Sequence, residues 1–333
     1  MPVLIFSNTS IAKIAIAVPH SEVDLEISRR KASPEQTTSD LAYVGVQQII
    51  EAEGVGKDEI GGLLFCSTTP DYRSPATACV LQGRLQLSKD CLAFDLNLGG
   101  AGLSYGLQTA CALLQNINKP YLLLVVGDTT SKQLSKENGL QFGDAASVLL
   151  LKKTDAGSNE ICISTGSDST HYDNFIIKGG GFRGTNGLTN YIKDELQIRE
   201  EAFIKEGTEL TTSKVLQFLS DSNKSLDSYD AILIPPLGSQ YQSAVMDRLS
   251  SLGSANIIST AHLGNTRGVS ALLSLNEVFK SADESVQSPD ILAIDIGEGM
   301  SWGIIGFSLD KDCMLPVIET GYKFEDGKIA REI

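Results

Sequence analysis

Short apolar runs alternate with amphipathic stretches along most of the chain. The runs are rich in Val, Ile and Leu and are not broken by regular polar positions, which is typical of strands buried on both faces of a parallel sheet. They occupy residues 61–69, 91–97, 121–128, 146–153, 229–236, 257–260, 290–297 and 301–309. Two segments between them, 102–115 and 267–279, carry apolar residues at helical spacing. The pattern predicts an α/β protein.

The order of strands and helices occurs twice, and each copy contains an abrupt turn from a strand into a helix. The turn LGGAGLSYGL (98–107) aligns with LGNTRGVSAL (263–272), so that Gly100 matches Asn265. We call these segments the first elbow and the second elbow. They predict a duplicated α/β fold in which the N-termini of two helices point into one shared site.

We place the boundary between the halves after residue 165, which gives an N-terminal half at 1–165 and a C-terminal half at 166–333. The initial run MPVLIFSNTSIAKIAIAVP is apolar but has neither the basic segment nor the cleavage site of a signal peptide, and it predicts one first strand. No apolar run reaches the roughly 18 residues of a membrane span. We therefore expect a cytoplasmic protein.

Charge and cysteine content exclude several functions. Acidic residues number 41 against 27 Lys and Arg, giving a net charge of −14, which argues against nucleic acid and anionic membranes as partners. The six cysteines form no CxxC pair, most of them lie in apolar runs, and only three histidines accompany them. We expect reduced, buried thiols and no metal site.

Six segments carry a further pattern. They are SRRKASPEQTTSDLA, STTPDYRSPATACVLQ, AFDLNLGGAGLSYGL, QFGDAASVLLL, LGNTRGVSALL and GEGMSWG. In this order, they resemble the β-ketoacyl-acyl-carrier-protein synthase III family of the thiolase-like superfamily. The resemblance implies a five-layered αβαβα thiolase-like fold built from two similar halves. It also implies a dimer paired through a central strand of each subunit, with segment 67–82 reaching the partner's pocket.

The family's chemistry depends on three side chains. A cysteine at the first elbow takes the acyl group, and a histidine and an asparagine stabilise the charge formed when a malonyl unit loses carbon dioxide. At these positions the present chain has Gly100, Pro236 and Asn265. Glycine supplies no nucleophile and proline has no N–H, so the resemblance implies that two of the three groups are missing. The oxyanion turn before SWG, which usually has a small or apolar residue in its middle, carries Glu298.

Two binding features of the family also differ. In the family, an N-terminal segment contains a tryptophan that stacks on the adenine of coenzyme A. The stretch between Pro19 and Ser28 is too short to hold that segment, and the only tryptophan of the chain is Trp302. The bulky gate residue in segment 67–82 is replaced by Ser74. We expect no bound cofactor.

The sequence allows two roles for each of two polar residues. Asn265 is either a donor into the pocket or a cap for the helix that follows it. Glu298 is either an acid or base that faces the pocket, or the partner of a cation such as Arg267. Ser104 is expected to pack the helix, and His262 is expected to face solvent.

The two losses lead to two hypotheses about function. The first is a synthase III-like protein of fatty-acid or polyketide-type biosynthesis that lacks condensing activity and serves as the partner subunit of an active homologue. The second is an acyltransferase or decarboxylase that acts on acyl thioesters through Asn265 and Glu298, without a covalent intermediate. Expected partners are a second copy or an active homologue, and an acyl carrier protein or acyl thioester. Whether the chain is an enzyme stays open between the two.

Overall fold

The computed structural model describes residues 2–20, 29–133, 140–155, 157, 160–179, 196–254, 256–281 and 287–325. Residues 21–28 belong to the stretch that is too short for the family's coenzyme A segment, and they lie outside the described residues. In chain order the strands are β1 (Leu4–Phe6), β2 (Thr9–Pro19), β3 (Ile60–Cys66), β4 (Leu92–Leu96), β5 (Tyr121–Asp128), β6 (Ala145–Lys153), β7 (Ile161–Ser167), β8 (Phe175–Ile177), β9 (Leu196–Ile198), β10 (Ala231–Leu233), β11 (Asn256–Ile258), β12 (Asp290–Gly297), β13 (Ser301–Ser308) and β14 (Ile318–Thr320).

Twelve of the described strands form two six-stranded sheets with the same core order, and β8 and β9 form a separate antiparallel pair. The first sheet contains the order β2-β6-β5-β3-β4, and the second contains β7-β13-β12-β10-β11. In both, the first two pairings are antiparallel and the last two are parallel. One short strand extends each sheet at its first edge, β14 beside β2 and β1 beside β7. The predicted duplication is therefore confirmed.

Three layers of helices and the two six-stranded sheets make five layers. The described α-helices are α1 (Thr38–Glu53), α2 (Thr77–Leu85), α3 (Gly102–Leu114), α4 (Glu200–Asp221), α5 (Ser239–Ser250) and α6 (Ser270–Ser281). One apolar cluster joins α3 and α6 to both sheets, a second joins α1 and α2 to the first sheet, and a third joins α4 and α5 to the second sheet. Three cores between five layers confirm the thiolase-like αβαβα architecture. No helix in the described part of the chain combines the length and the apolar character needed to cross a membrane.

The central helix α3 is buried because its sequence, GLSYGLQTACALL, contains no charged residue. Leu103, Leu107 and Leu114 are almost fully enclosed between the sheets. Cys111 lies on the same buried side, and burial raises the pKa of its thiol. The helix predicted at 102–115 is therefore confirmed to within one residue.

The single strand predicted for the first 19 residues is wrong. The chain forms β1 in the second sheet and β2 in the first, with Ser7 and Asn8 between them. Both are residues that favour turns, and the Asn8 amide donates to the side chain of Gln115 at 2.5 Å, just beyond the end of α3. A polar break within an apolar run thus carries the chain from one sheet to the other.

The predicted boundary after residue 165 falls inside β7. The apolar pattern did not reveal this strand because ICISTGS contains three hydroxyl residues among its seven. The β14 strand also returns from the C-terminal half to pair with β2. The two halves therefore share the two sheets at their edges, and the division at 165 stays a prediction.

Candidate active site at the two elbows

A cavity of about 970 Å³ opens where the parallel strands β3, β4 and β5 end. Clefts at the carboxyl ends of parallel strands are the usual ligand sites of open α/β sheets. Its walls are the loop 67–76 after β3, the residues after β4 and β5, and strand β8. Arg267 of the second elbow and Glu298 reach it from the C-terminal half.

The first elbow packs directly against the end of β12. A Cβ atom added to Gly100 would lie 2.1 Å from the carbonyl oxygen of Ile296 and 2.8 Å from the Cα of Gly297. These are backbone atoms of a buried strand end, so they cannot turn aside as the end of a flexible side chain can. The Gly100 N–H donates to Oε2 of Glu298 at 3.3 Å. The position therefore has room for glycine alone.

A buried acid holds the first turn of α3. The N–H and the hydroxyl of Ser104 donate to Oδ2 of Asp295, in β12, at 2.9 and 2.6 Å. Burial raises the pKa of Asp295 to about 7, although the two hydrogen bonds act in the opposite direction. Ser104 occupies the space that a side chain at Gly303 would need. This agrees with the packing role expected for Ser104.

The second elbow retains its asparagine and uses it inside the turn. Oδ1 of Asn265 accepts the N–H of Arg267 at 2.9 Å, and the N–H of Asn265 donates to the carbonyl of Gln141 at 2.9 Å. Arg267 has a φ of +60°, in the left-handed region that few residues other than glycine adopt. The Asn265 side chain thus stabilises an uncommon turn immediately before α6. Asn265 is buried and does not line the cavity.

The side chain of Arg267 is the centre of the site. It is only 2% exposed and forms an ion pair with the carboxylate of Glu298. One of its terminal nitrogens donates to the hydroxyl of Thr68 at 3.0 Å, and its Nε lies 3.9 Å from Oδ2 of Asp128. The guanidinium carbon lies 4.9 Å from the ring centre of Phe175, within the range of a cation–π contact. The second interpretation of Glu298, pairing with Arg267, is present in the structure.

Asp128 anchors this cluster from the end of β5. Its Oδ1 accepts hydrogen bonds from the Ser67 hydroxyl, from the N–H and hydroxyl of Thr68, and from the Thr69 hydroxyl, at 2.8 to 3.2 Å. Burial raises the pKa of Asp128, while Arg267 and the hydrogen bonds from Thr68 oppose the shift. Arg267 therefore has a buried acid, Asp128, as one neighbour and a partly exposed acid, Glu298, as another.

The acids near the first elbow oppose ionisation of a neighbouring thiol. The neighbouring Cys66 thiol has its pKa raised, first by burial and then by the charges of Asp128, Asp295 and Glu298. In the family, the helix N-terminus favours a thiolate at this elbow. Here three nearby carboxyl groups oppose a negative sulfur in the same neighbourhood.

The other residues singled out by the sequence lie away from this cluster. Pro236 is buried in the turn after β10 and does not line the cavity, and His262 is exposed as expected. Trp302 is buried in β13, under the ammonium group of Lys214. Ser74 is exposed on loop 67–76, whose neighbours Arg73 and Pro75 line the cavity.

Sequence reasoning missed Asp128 and Asp295. Each is an acid within or at the end of a strongly apolar strand, YLLLVVGD and DILAIDIG. A lone carboxylate in a buried strand needs donors, which is the signal that would have pointed to both residues. No group of three or more His, Cys, Asp or Glu suited to a metal ion occurs among the described residues.

Comparisons with known proteins agree with this architecture. Residues 94–169 match the family model 3-oxoacyl-[acyl-carrier-protein (ACP)] synthase III. A β-ketoacyl-[acyl-carrier-protein] synthase III from Clostridium perfringens is 26% identical over 285 residues, which are 83% of this chain and 86% of that protein. A putative 3-oxoacyl-[acyl-carrier-protein] synthase 3 from Campylobacter jejuni is 36% identical over 149 residues, covering 44% of this chain and 41% of that protein.

The fold comparison extends over nearly the whole chain. The crystal structure of a 3-oxoacyl-(acyl-carrier protein) synthase from Burkholderia xenovorans LB400 superposes with a TM-score of 0.85 at 25% identity. It covers 96% of this chain and 99% of that one. In its two elbows, its five layers and these sequence matches, the chain is similar to the 3-oxoacyl-[acyl-carrier-protein] synthase III family.

Proposed function

We propose that this protein is a non-condensing member of its family and serves as the partner subunit of an active synthase III homologue in fatty-acid or polyketide-type biosynthesis. The observation that carries the proposal is the contact at Gly100, where a Cβ atom would lie 2.1 Å from the Ile296 carbonyl oxygen. The chain lacks the nucleophile and has also closed the space in which a nucleophile would stand. Restoring the cysteine by one substitution is therefore not expected to restore acyl transfer.

The hydrogen bond that the Gly100 N–H donates supports the same proposal. An active synthase would direct the Gly100 N–H, at the start of α3, towards a negative group of the reaction. Here Glu298 accepts that N–H and pairs with Arg267 at the same time. The Glu298 carboxylate thus occupies the position at the first elbow where a negatively charged reaction intermediate would accept this N–H.

The edge of the first sheet supports a pairing role. Strand β4 is the last strand of that sheet, and none of its five residues is buried, whereas all seven residues of its neighbour β3 are buried. Leu92 in β4 is 43% exposed. An uncovered apolar edge strand is a ready template for pairing with another chain. A β4 strand from a homologue would continue the sheet across a dimer.

The alternative, an acyltransferase or decarboxylase without a covalent intermediate, needs Asn265 and Glu298 to reach substrate. The Asn265 oxygen is engaged by the Arg267 N–H, and Glu298 is engaged by both Arg267 and Gly100. These contacts weigh against the alternative. Substituting Glu298→Gln separates the two functions, because an enzyme that uses this carboxylate would lose thioester turnover while a partner subunit would leave its companion's turnover intact.

Co-expression with an active synthase III homologue tests the pairing role. We expect a mixed dimer that co-purifies through a tag on either chain and dissociates when Leu92→Asp places a charge on the β4 edge. Leu252→Asp is the matched control, since Leu252 is similarly exposed, at 41%, but follows α5 in the other half. A stable homodimer that ignores every active homologue tried, or a mixed dimer equally weakened by both substitutions, would contradict the proposal.

A further inference from the structure

Arg267 is fixed in the cavity wall. Its guanidinium lies between the rings of Phe142 and Phe175, with its central carbon 5.6 and 4.9 Å from the two ring centres, and it donates to Thr68. Its side chain is 2% exposed, and its Nε has no hydrogen-bond acceptor among the described residues. A buried guanidinium needs an anionic partner, because an unpaired charge in the interior is costly. Asp128 is one such partner, 3.9 Å from Nε, and a terminal nitrogen of Arg267 pairs with a second carboxylate, Glu298, which lines the cavity.

Glu298, its present partner, is less enclosed than Arg267. Its side chain is 23% exposed, and its second oxygen reaches the Gly100 N–H only at 3.3 Å. The residue stands in a short turn between Gly297 and Gly299, and Gly299 has a φ of +69° and open space around its Cβ position. Gly297 is packed against the backbone of the first elbow, so the freedom of this turn comes from Gly299, which has open space beside it. Glu298 can therefore turn into the cavity, whereas Arg267 cannot leave its wall.

The cavity beyond this ion pair has two kinds of wall. Leu98, Phe175, Ile176 and Ile177 supply apolar surface, and polar and charged side chains, among them Ser67, Thr69, Arg73 and Lys132, line the rest. Its volume of about 970 Å³ is at the upper end of the range that small-molecule sites occupy. A ligand that fits both walls has an apolar tail and one polar head.

We propose that this cavity binds a free carboxylic acid non-covalently, and that the ligand's carboxylate displaces Glu298 from Arg267 and the Gly100 N–H while its apolar tail lies along β8. One carboxylate replaces another as the partner of the Arg267 terminal nitrogens, so the guanidinium stays paired throughout the exchange. A guanidinium is suited to this exchange because it binds carboxylates through two parallel N–H donors. Glu298 then acts as an internal competitor that keeps the site closed until an acid arrives.

Calorimetric titration of the full-length protein with hexanoate, and with hexanamide as the uncharged analogue, tests this site. The wild-type protein is expected to bind hexanoate weakly and hexanamide more weakly still. In Glu298→Gln the competing charge is gone, so the Kd for hexanoate should fall by about tenfold while that for hexanamide stays within about twofold. Glu319→Gln is the matched control, because this carboxylate pairs with Arg30 elsewhere on the protein and should leave both constants unchanged.

The result that overturns the proposal is a Glu298→Gln protein, folded by its melting curve, that binds hexanoate no more tightly than the wild type. An equal gain for hexanoate and hexanamide would also overturn it, since enlarging the cavity alone would help both. If Glu298→Gln does not fold, the wild-type protein decides, because failure to bind hexanoate more tightly than hexanamide contradicts a site built on Arg267. The inference does not depend on pairing with a homologue, so its failure would leave the proposed function untouched.

Discussion

The two elbows occupy equivalent places in the two halves but are stabilised in different ways. The first has lost its side chain, and the backbone of β12 presses against Gly100. The second has kept Asn265 and added Arg267, whose long side chain crosses back towards the first. At the first elbow a space has been closed, and at the second a charge has been introduced. Through Arg267 and Glu298, the two elbows form an internal contact between the halves.

That contact is reciprocal. Asp128, at the end of β5 in the N-terminal half, faces Arg267 of the second elbow. Asp295, in β12 of the C-terminal half, accepts both donors of Ser104 at the start of α3 after the first elbow. Each half thus supplies a buried acid to the helix start of the other. These two contacts are expected to stabilise the packing of one half on the other.

Removing the charge at the second elbow should have the largest effect. Arg267→Met leaves Asp128 and Glu298 without their cation in a buried site, which is expected to lower the free energy of unfolding by about 3–5 kcal/mol. Urea denaturation measures the loss. Lys280→Met is the control, because the exposed Lys280–Glu277 pair is worth less than about 1 kcal/mol. Equal effects of the two substitutions would show that Arg267 is not the centre of the site.

The acid beneath the first elbow should make stability depend on pH. Burial raises the pKa of Asp295 to about 7, so between about pH 4 and pH 7 the native protein holds a proton that the unfolded chain releases. The stability from this group is therefore present below about pH 4 and is lost as the pH rises through 7, by roughly 4 kcal/mol at most.

Asp295→Asn keeps an acceptor for Ser104 but cannot ionise, so it isolates this contribution. Denaturation curves recorded from pH 4 to pH 8 should show the variant gaining stability relative to the wild type as the pH rises. Other buried acids titrate in both proteins, so only the difference between the two curves is informative. A difference that does not change with pH would contradict the assignment to Asp295.

A methyl group at the first elbow tests whether its space is closed. Gly100→Ala places a Cβ against the backbone of Ile296 and should cost about 1–3 kcal/mol. Gly83→Ala is the matched control, since a Cβ at this exposed position in α2 meets nothing within 4 Å and should gain up to about 1 kcal/mol. Thermal unfolding of both variants gives the comparison. An alanine tolerated equally well at both positions would mean that the elbow has room for a side chain.

The smallest effect on stability is expected at Asn265, the one residue of the family's three catalytic positions that this chain retains. Asn265→Ala removes the acceptor for the Arg267 N–H and should cost about 1 kcal/mol, as the loss of a helix-capping side chain usually does. Asn265→Asp retains an oxygen in the same place and should recover most of that loss. If both variants keep full stability, the Asn265 side chain does not stabilise the turn. That result would favour its interpretation as a hydrogen-bond donor into the pocket.

The general organisation followed from the sequence, whereas the site's contacts did not. Apolar runs and the two aligned elbows predicted the duplicated fold because buried strands and buried helices need continuous apolar surface. The same logic failed at β7, where hydroxyl residues occupy a strand, and at Ser7 and Asn8, where two polar residues redirect the chain. Local pattern cannot show which sheet a strand joins, since that depends on partners far away in the chain.

At the site, the missing groups at Gly100 and Pro236 could be read position by position. The role of Arg267 could be named only as one alternative, because its partners come from β5, from loop 67–76 and from the turn at Glu298, which are widely separated in sequence. The closure of the space at Gly100 could not be predicted at all, since it depends on backbone atoms of β12 lying within 3 Å of the place that a Cβ atom at residue 100 would take.

Intact-protein mass spectrometry after incubation with acetyl and longer acyl thioesters tests the central claim most directly. The sample should be the purified chain without any homologue, with Cys79→Ser included because Cys79 is the one exposed thiol among the described residues. The account predicts an unchanged mass, because the first elbow has neither a nucleophile nor room for one. A stoichiometric acyl adduct that forms in the absence of Cys79 would contradict it.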